Sequence, residues 1–364
     1  MTMRLAKAIT AVIFAAVLSL LTACGGSEQA AGIPAARTIT DAAGRTVSVP
    51  EQINSVYSVN PVGTIFMYTL APDKIAGRNW ELAAAEKKYT LPAYQRLPVL
   101  GGYFGKDKVM NKEEVLKVGP DILLSMGEVD SAAAASADSL QQQLGIPVVV
   151  VGLELESMAE TYAFMGSLLG VEERAGELAQ YCREALAAVQ EQILAIPADK
   201  RIRVYYAEGD QGLETDPQGS RHTEVLDLVR GINVADVALQ SGYGRARVSI
   251  EQLLIWEPEV IIVCYDQSFQ ALNNPLRFIR EDANWRQLKA VRQNKVYQIP
   301  YAPFNWFDRP PSVNRLIGVK WLANLLYPGQ FHYNMAAETK KFYRLFYHLE
   351  LTDQEVAEIL QNAQ

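Results

Sequence analysis

The chain has 364 residues, 34 Lys+Arg against 41 Asp+Glu, and three histidines. Its negative balance argues against nucleic acid or an anionic lipid surface as the main partner. The widely spaced His222, His332 and His348 argue against a dense histidine metal site, and a chain this long exceeds one hydrophobic core and implies two domains.

At the amino terminus, Arg4 and Lys7 are the only charges before Cys24, and an apolar run extends from Ala8 through Leu21. The run is short for a membrane span, which takes about 20 predominantly apolar residues, and it suits the core of an export signal. It ends in Leu21-Thr22-Ala23-Cys24, followed by Gly25-Gly26-Ser27. This resembles a bacterial lipobox. The resemblance implies removal of residues 1–23, lipidation of Cys24 and an anchor in the cell membrane, on its outer face or the periplasmic side. Losing that signal removes two positive charges and leaves the exported part near −9. Residues 24–37 are rich in Gly, Ala and Ser and read as a flexible tether. Cys182 and Cys264 sit in apolar, periodic surroundings and read as buried free thiols.

Folded sequence begins near Thr38, where Asp41-Ala42-Ala43-Gly44 marks a turn between two short alternating runs. Strand-like and helix-like runs then alternate, which implies an α/β fold with mostly parallel strands. An internal repeat organises them. Asn111-Lys112-Glu113-Glu114-Val115-Leu116 leads through Gly119-Pro120-Asp121 into Ile122-Leu123-Leu124. Ser249-Ile250-Glu251-Gln252-Leu253-Leu254 leads, in the same register, through Glu257-Pro258-Glu259 into Val260-Ile261-Ile262. Each copy opens on an N-cap residue, with Glu114 or Gln252 as the expected capping-box partner. Two similar lobes follow, an N-terminal one over 38–170 and a C-terminal one over 197–364. Between them, apolar residues at Ala175, Leu178, Ala179, Cys182, Leu186, Val189 and Ile193 keep helical spacing and predict one long linking helix over 171–196. A last helical segment, from Met335 onward, is expected to pack on the second lobe.

These features together resemble the class III substrate-binding proteins of ABC importers, which serve iron–siderophores, haem, cobalamin and some oxyanions. The resemblance rests on Thr40-Asp41-Ala42-Ala43-Gly44-Arg45-Thr46-Val47, the two repeats, the linking helix and Val296-Tyr297-Gln298-Ile299-Pro300. It implies a monomer with a ligand cleft between two lobes, little closure on binding, no cofactor, and an ABC permease with its ATPase as partners. The aromatic and arginine content fits an iron(III) chelate of siderophore type. Molybdate or tungstate, cobalamin and other metal complexes are the alternatives, and Trp321 through Pro328 looks closest to molybdate-binding and iron-complex members. No G-x-S-x-G elbow or paired-histidine zinc motif is present in the sequence, which disfavours an extracytoplasmic enzyme.

In open α/β sheets, ligands sit beyond the carboxyl ends of the strands. The candidates in the first lobe are Asn60, Arg78, Asn79, Trp80, Tyr103 and Phe104. Those in the second are Glu208, Asp210, Arg221, His222, Tyr243, Arg245, Arg247, Tyr265 and the run from Phe304 to Arg309, which includes Trp306. Arginine suits anionic oxygens because its planar fork stays charged, and aromatic rings offer flat apolar walls. Taken singly, each arginine can equally pair with a carboxylate. His222 is a weak candidate for a metal ligand, and Arg221-His222-Thr223 reads more simply as a helix start. Arg78 and Arg245 are expected to be exposed, so that their loss weakens a ligand and spares the fold. Glu113 and Glu251 lie at equivalent helix starts, where the macrodipole alone favours an anion by up to about 1 kcal/mol. In the resembled family, glutamates at these places dock onto permease arginines.

Overall fold

The computed structural model describes residues 36–104, 108–238, 245–264 and 274–363. The chain opens with an antiparallel hairpin, β1 (Ala36–Thr40) against β2 (Thr46–Pro50). Its turn is fixed by the buried Asp41, whose carboxylate accepts from the Ala43 and Arg45 amides and from the Arg45 guanidinium at 2.7 Å. Asp41 also accepts from the Val150 amide at 3.1 Å, which docks the hairpin on the first sheet.

That sheet is parallel, in the order β3 (Val56–Ser58), β4 (Ile122–Gly127), β5 (Val148–Gly152). A single parallel bridge from Val56 to Ile75 adds to its β3 edge. The second sheet, built from β6 (Arg203–Ala207), β7 (Ile232–Asn233), β8 (Val260–Val263) and β9 (Val296–Gln298), is also parallel, in the order β7, β6, β8, β9. The repeat therefore builds two equivalent sheets, as the sequence register implies.

Side chains alternate across a strand, and here each face of each sheet is covered. In the first lobe Tyr57, Leu123, Val148 and Val150 face a core of their own. In the second, Tyr205, Ala207, Ile261, Val263 and Val296 do the same. The alternate residues Val56, Ile122, Leu124, Val149 and Val151 join Val204, Tyr206, Val260 and Ile262 in one continuous core. Coverage on both faces explains why these strands read as unbroken apolar runs.

The linking helix runs from Glu172 to Ile193, 22 residues, or about 33 Å at 1.5 Å per residue. All seven residues of its expected apolar stripe are buried in the shared core. Cys182 and Cys264 are buried free thiols. Arg315, at the start of the helix Arg315–Leu326, adds a second connection between the lobes. It pairs with Glu224 and donates to the Leu153 carbonyl, while Glu224 accepts from the Leu155 amide at 3.0 Å.

Two expectations are corrected. The carboxyl-terminal segment does not pack on the second lobe alone; it straps both. Trp321 donates to the Ala363 carbonyl at 2.8 Å, whereas Tyr68 donates to the Tyr347 carbonyl at 3.2 Å and Lys88 pairs with Glu358. The reason lies in the helix Pro61–Leu70, which is buried on nearly every side and must be covered all round. The capping boxes are also incomplete. Asn111 and Ser249 cap the Glu114 and Gln252 amides at 3.2 and 3.3 Å, but the Glu114 carboxylate turns to Lys117 at 2.7 Å.

A shared core, a buried strut and a strap leave little freedom for hinge bending. Solution scattering is expected to give the same radius of gyration with and without ligand. A large drop on binding would contradict this packing.

Candidate functional site

The carboxyl ends of both sheets face each other. Asn60 follows β3 and Glu128 follows β4; opposite them, Glu208 follows β6 and the loop 300–314 follows β9. Arg221 reaches across to Glu128 at 2.7 Å. The Trp80 ring meets Phe304 of the other lobe edge-on, with centroids 5.9 Å apart, and Phe104 at 6.2 Å. These contacts bound a cleft between the lobes.

Its floor, on the second lobe, is a dense charge cluster. Glu208, Asp216 and Asp308 are fully buried. Arg309 ties all three together: it donates to Glu208 Oε1 at 2.8 Å and to Asp216 at 2.5 Å, and its Nε lies 3.3 Å from Asp308. Arg245 shares the same Glu208 oxygen at 2.9 Å and lies 3.7 Å from Glu214. Glu214 faces Arg247 at 3.6 Å on the rim. Tyr206 donates to Asp308, and Ser220 donates to Asp216 at 3.1 Å. His222 Nδ1 lies 3.2 Å from Asp308 Oδ2, though not aligned as a hydrogen bond.

Electrostatics divide the carboxylates. Burial pushes Glu208 up to about 8, because Arg309 and Arg245 only partly offset desolvation and the nearby Asp308 and Asp216 add to it. Asp308 is equally desolvated, yet Arg309, His222 and Tyr206 together hold it below the ordinary carboxylate range. Asp216, His222 and Asp308 offer ligand atoms within 4.8 Å of one another, the spacing of a metal site. The compensating charge there is supplied by the Arg309 guanidinium, which contacts both aspartates. We therefore read the trio as part of an arginine-holding cluster.

The first-lobe wall is built differently. Asn60 is an N-cap: it accepts from the Gly63 amide at 3.1 Å and donates to the Met126 carbonyl at 2.8 Å. Asn79 donates to the Ser58 and Gly101 carbonyls, both at 2.9 Å, and accepts from Thr64. A Cβ on Gly102 would stand 2.6 Å from the Asn79 amide nitrogen, so this glycine serves packing within the wall. Trp80 donates to Glu86 at 3.1 Å, which fixes its ring. Tyr103 is 42% exposed and is the open part of the wall.

Among the residues singled out from sequence, Glu208, His222, Arg245 and Arg309 come together in one cluster, while Arg221 pairs with Glu128 and Trp80 meets Phe304 across the lobes. Arg78 does not join them, and its expected exposure is corrected: it is 5% exposed and donates to the Leu97 and Trp80 carbonyls at 3.2 and 3.0 Å. Arg245 is also largely buried, because it holds Glu208. Trp306 is fully buried in the shared core, beneath the loop rather than on it. Asp210 is exposed beyond the cluster. Cys24, Tyr243 and Tyr265 lie outside the described residues. Asp216, Glu128, Glu224 and Arg315 escaped the sequence reading. No motif marks Asp216, and Arg315 stands with Lys320 in an otherwise apolar run, where a charge is the signal that could have pointed to it.

Glu113 and Glu251 are both exposed, on the second positions of their equivalent helices. The Ser249 hydroxyl and the helix-start amide hold Glu251 below the ordinary carboxylate range. Each has an exposed apolar neighbour on its own helix, Leu116 at 50% and Ile255 at 74%.

Comparison with known proteins extends this picture. The molybdate-binding protein MolA of Haemophilus influenzae is 26% identical in an alignment of 359 positions that covers 90% of this chain and 96% of the relative. An ABC transporter solute binding protein from Sulfurospirillum deleyianum superposes with a TM-score of 0.81 at 31% identity, over 89% of this chain and 99% of that one. The crystal structure of MolA bound to molybdate superposes at 0.67 with 22% identity, over 87% and 99% of the two chains. Residues 68–303 match the periplasmic binding protein family model. With that match over most of the chain, and with two repeated parallel-sheet lobes around a shared cleft, the chain belongs to the periplasmic binding protein family and is a substrate-binding protein of an ABC transporter.

Proposed function

We propose that the protein captures a small anionic metal species, an oxyanion of the molybdate or tungstate class, and hands it to its permease without chemical turnover. One observation carries this reading. Arg245 and Arg309 are held in fixed orientation at the cleft floor by buried carboxylates. Fixed guanidinium forks suit anionic oxygens. The two cross-lobe contacts, Arg221 to Glu128 and Trp80 to Phe304, keep the lobes close over the cluster and favour a compact solute. The molybdate-binding relative supports the same class.

A second reading is an iron(III) chelate of siderophore type. The aromatic wall of Trp80, Phe104, Phe304 and the exposed Tyr103 favours it. Thermal-shift screening of the purified protein against molybdate, tungstate, sulfate, ferric catecholates, haem and cobalamin separates the two. Stabilisation by molybdate and tungstate supports the oxyanion. Stabilisation by ferric chelates alone would replace it.

Delivery completes the proposal. Glu113 and Glu251 dock onto basic residues of the permease, one glutamate per lobe, with Leu116 and Ile255 beside them as apolar contacts. Lipidation at Cys24 holds the protein at the membrane as a monomer. No described helix is long and apolar enough to cross a membrane. Cys24→Ala is expected to move the processed protein into the soluble fraction; retention in the membrane fraction would remove the anchor from the account.

A further inference from the structure

The floor cluster is not charge-balanced. Among the described residues it holds three fully buried carboxylates, Glu208, Asp216 and Asp308, against two guanidiniums, Arg245 and Arg309. The outer pairs, Glu214 with Arg247 and Glu128 with Arg221, offset each other. Counting these fixed charges, one buried negative charge is left over, which a proton in the cluster offsets, either on a carboxylate or on His222 beside Asp308; an unpaired buried charge is costly enough that such groups usually neutralise.

The three carboxylates differ in what holds them. Asp216 receives Arg309 at 2.5 Å and the Ser220 hydroxyl at 3.1 Å. Asp308 receives the Tyr206 hydroxyl on one oxygen; its Oδ2 has no hydrogen bond, but lies 3.3 Å from Arg309 and 3.2 Å from His222. On Glu208, Oε1 alone is engaged, and both guanidiniums share it; the buried Oε2 has no hydrogen-bond partner. The other ionisable neighbours of Glu208, Tyr205, Tyr206 and Cys264, are buried and neutral. Glu208 Oε2 is the site we assign to that proton, as the oxygen without a hydrogen bond on a carboxylate whose other oxygen both guanidiniums share.

We propose that Glu208 is a specificity-determining residue: protonated, it leaves the cleft floor neutral and open to an anion, and deprotonated, it sets the floor against one. The inference rests on the anionic-solute reading above. A neutral Glu208 keeps its carbonyl oxygen as acceptor for Arg245 and Arg309, so both stay positioned. An ionised Glu208 spends their charge inside the protein. Anion binding above the titration of Glu208 then draws one proton from solvent. Burial places that titration near pH 8.

Titration calorimetry with molybdate, in buffers of different ionisation enthalpy, counts the protons. The dissociation constant is expected to rise about tenfold from pH 7 to pH 9, with close to one proton taken up per molybdate at pH 9. Glu208→Gln holds the neutral form permanently, so its affinity should change by less than about twofold over the same range. Unfolding of the ligand-free protein gives a second readout. A raised folded-state pKa makes stability fall as pH rises towards 8, and Glu208→Gln should remove that part of the slope. Affinity independent of pH with no proton uptake would overturn the inference while leaving the anion reading intact. A slope kept by Glu208→Gln and lost in His222→Asn would overturn it in favour of the histidine. Absence of molybdate, tungstate or chelate binding at every pH would overturn the reading on which it rests.

Discussion

Arg309→Met is expected to cost about 3–5 kcal/mol of stability, the range for breaking a buried charge pair by removing one partner. Among the described residues, Arg309 is the one side chain that touches Glu208, Asp216 and Asp308 together. Its loss leaves Glu208 to Arg245, Asp308 to His222 and Tyr206, and Asp216 to Ser220. Ligand binding should suffer independently, because a hydrogen bond to a charged group contributes about 1.5–3 kcal/mol, or roughly tenfold to a hundredfold in affinity. Arg245→Met should show the second effect with less of the first, since Arg309 still holds the cluster. Denaturant unfolding and ligand titration of both variants check this. Wild-type stability in Arg309→Met would mean that the cluster reorganises or protonates at little cost.

The second large effect belongs to the docking face. The Glu113→Lys, Glu251→Lys double variant is expected to abolish uptake in cells carrying the cognate importer, while ligand affinity of the purified protein stays unchanged. Both glutamates are exposed at helix starts and are not among the groups paired in the charge cluster, so the fold and the cleft should not register the change. Reversal places like charges face to face at the interface, which costs more than removal. Glu→Ala at each position should therefore give an intermediate loss, with the double alanine variant below either single one. Normal uptake by the double lysine variant would rule out docking through these residues and reduce them to partners of the helix dipole.

What was legible in the sequence follows from how locally each feature is specified. The helices at Lys112 and Ile250 announce themselves because Asn111 and Ser249 cap them within three residues. The strands are legible because burial on both faces makes them continuous apolar runs, and the linking helix because its stripe repeats over 22 residues. The site was legible only in part. Glu208, Arg245 and Arg309 could each be named as candidates, but not their pairing: Glu208 is joined to Arg309 across 101 positions, and the unnamed Asp216 across 93. No spacing rule spans such distances. Arg78 misled for a related reason: backbone carbonyls at Leu97 and Trp80 satisfy it, and no side-chain pattern reveals them. The carboxyl-terminal strap misled because an apolar helical face says that it must be covered, not by what. Tyr68 and the helix around it supply the answer only in the folded chain.

The most direct test of the central claim is anomalous diffraction at the molybdenum edge from crystals grown with molybdate. The metal peak is expected between the lobes, beside the Arg245 and Arg309 guanidiniums. A peak away from that cluster, or none while molybdate binds saturably in solution, would contradict it.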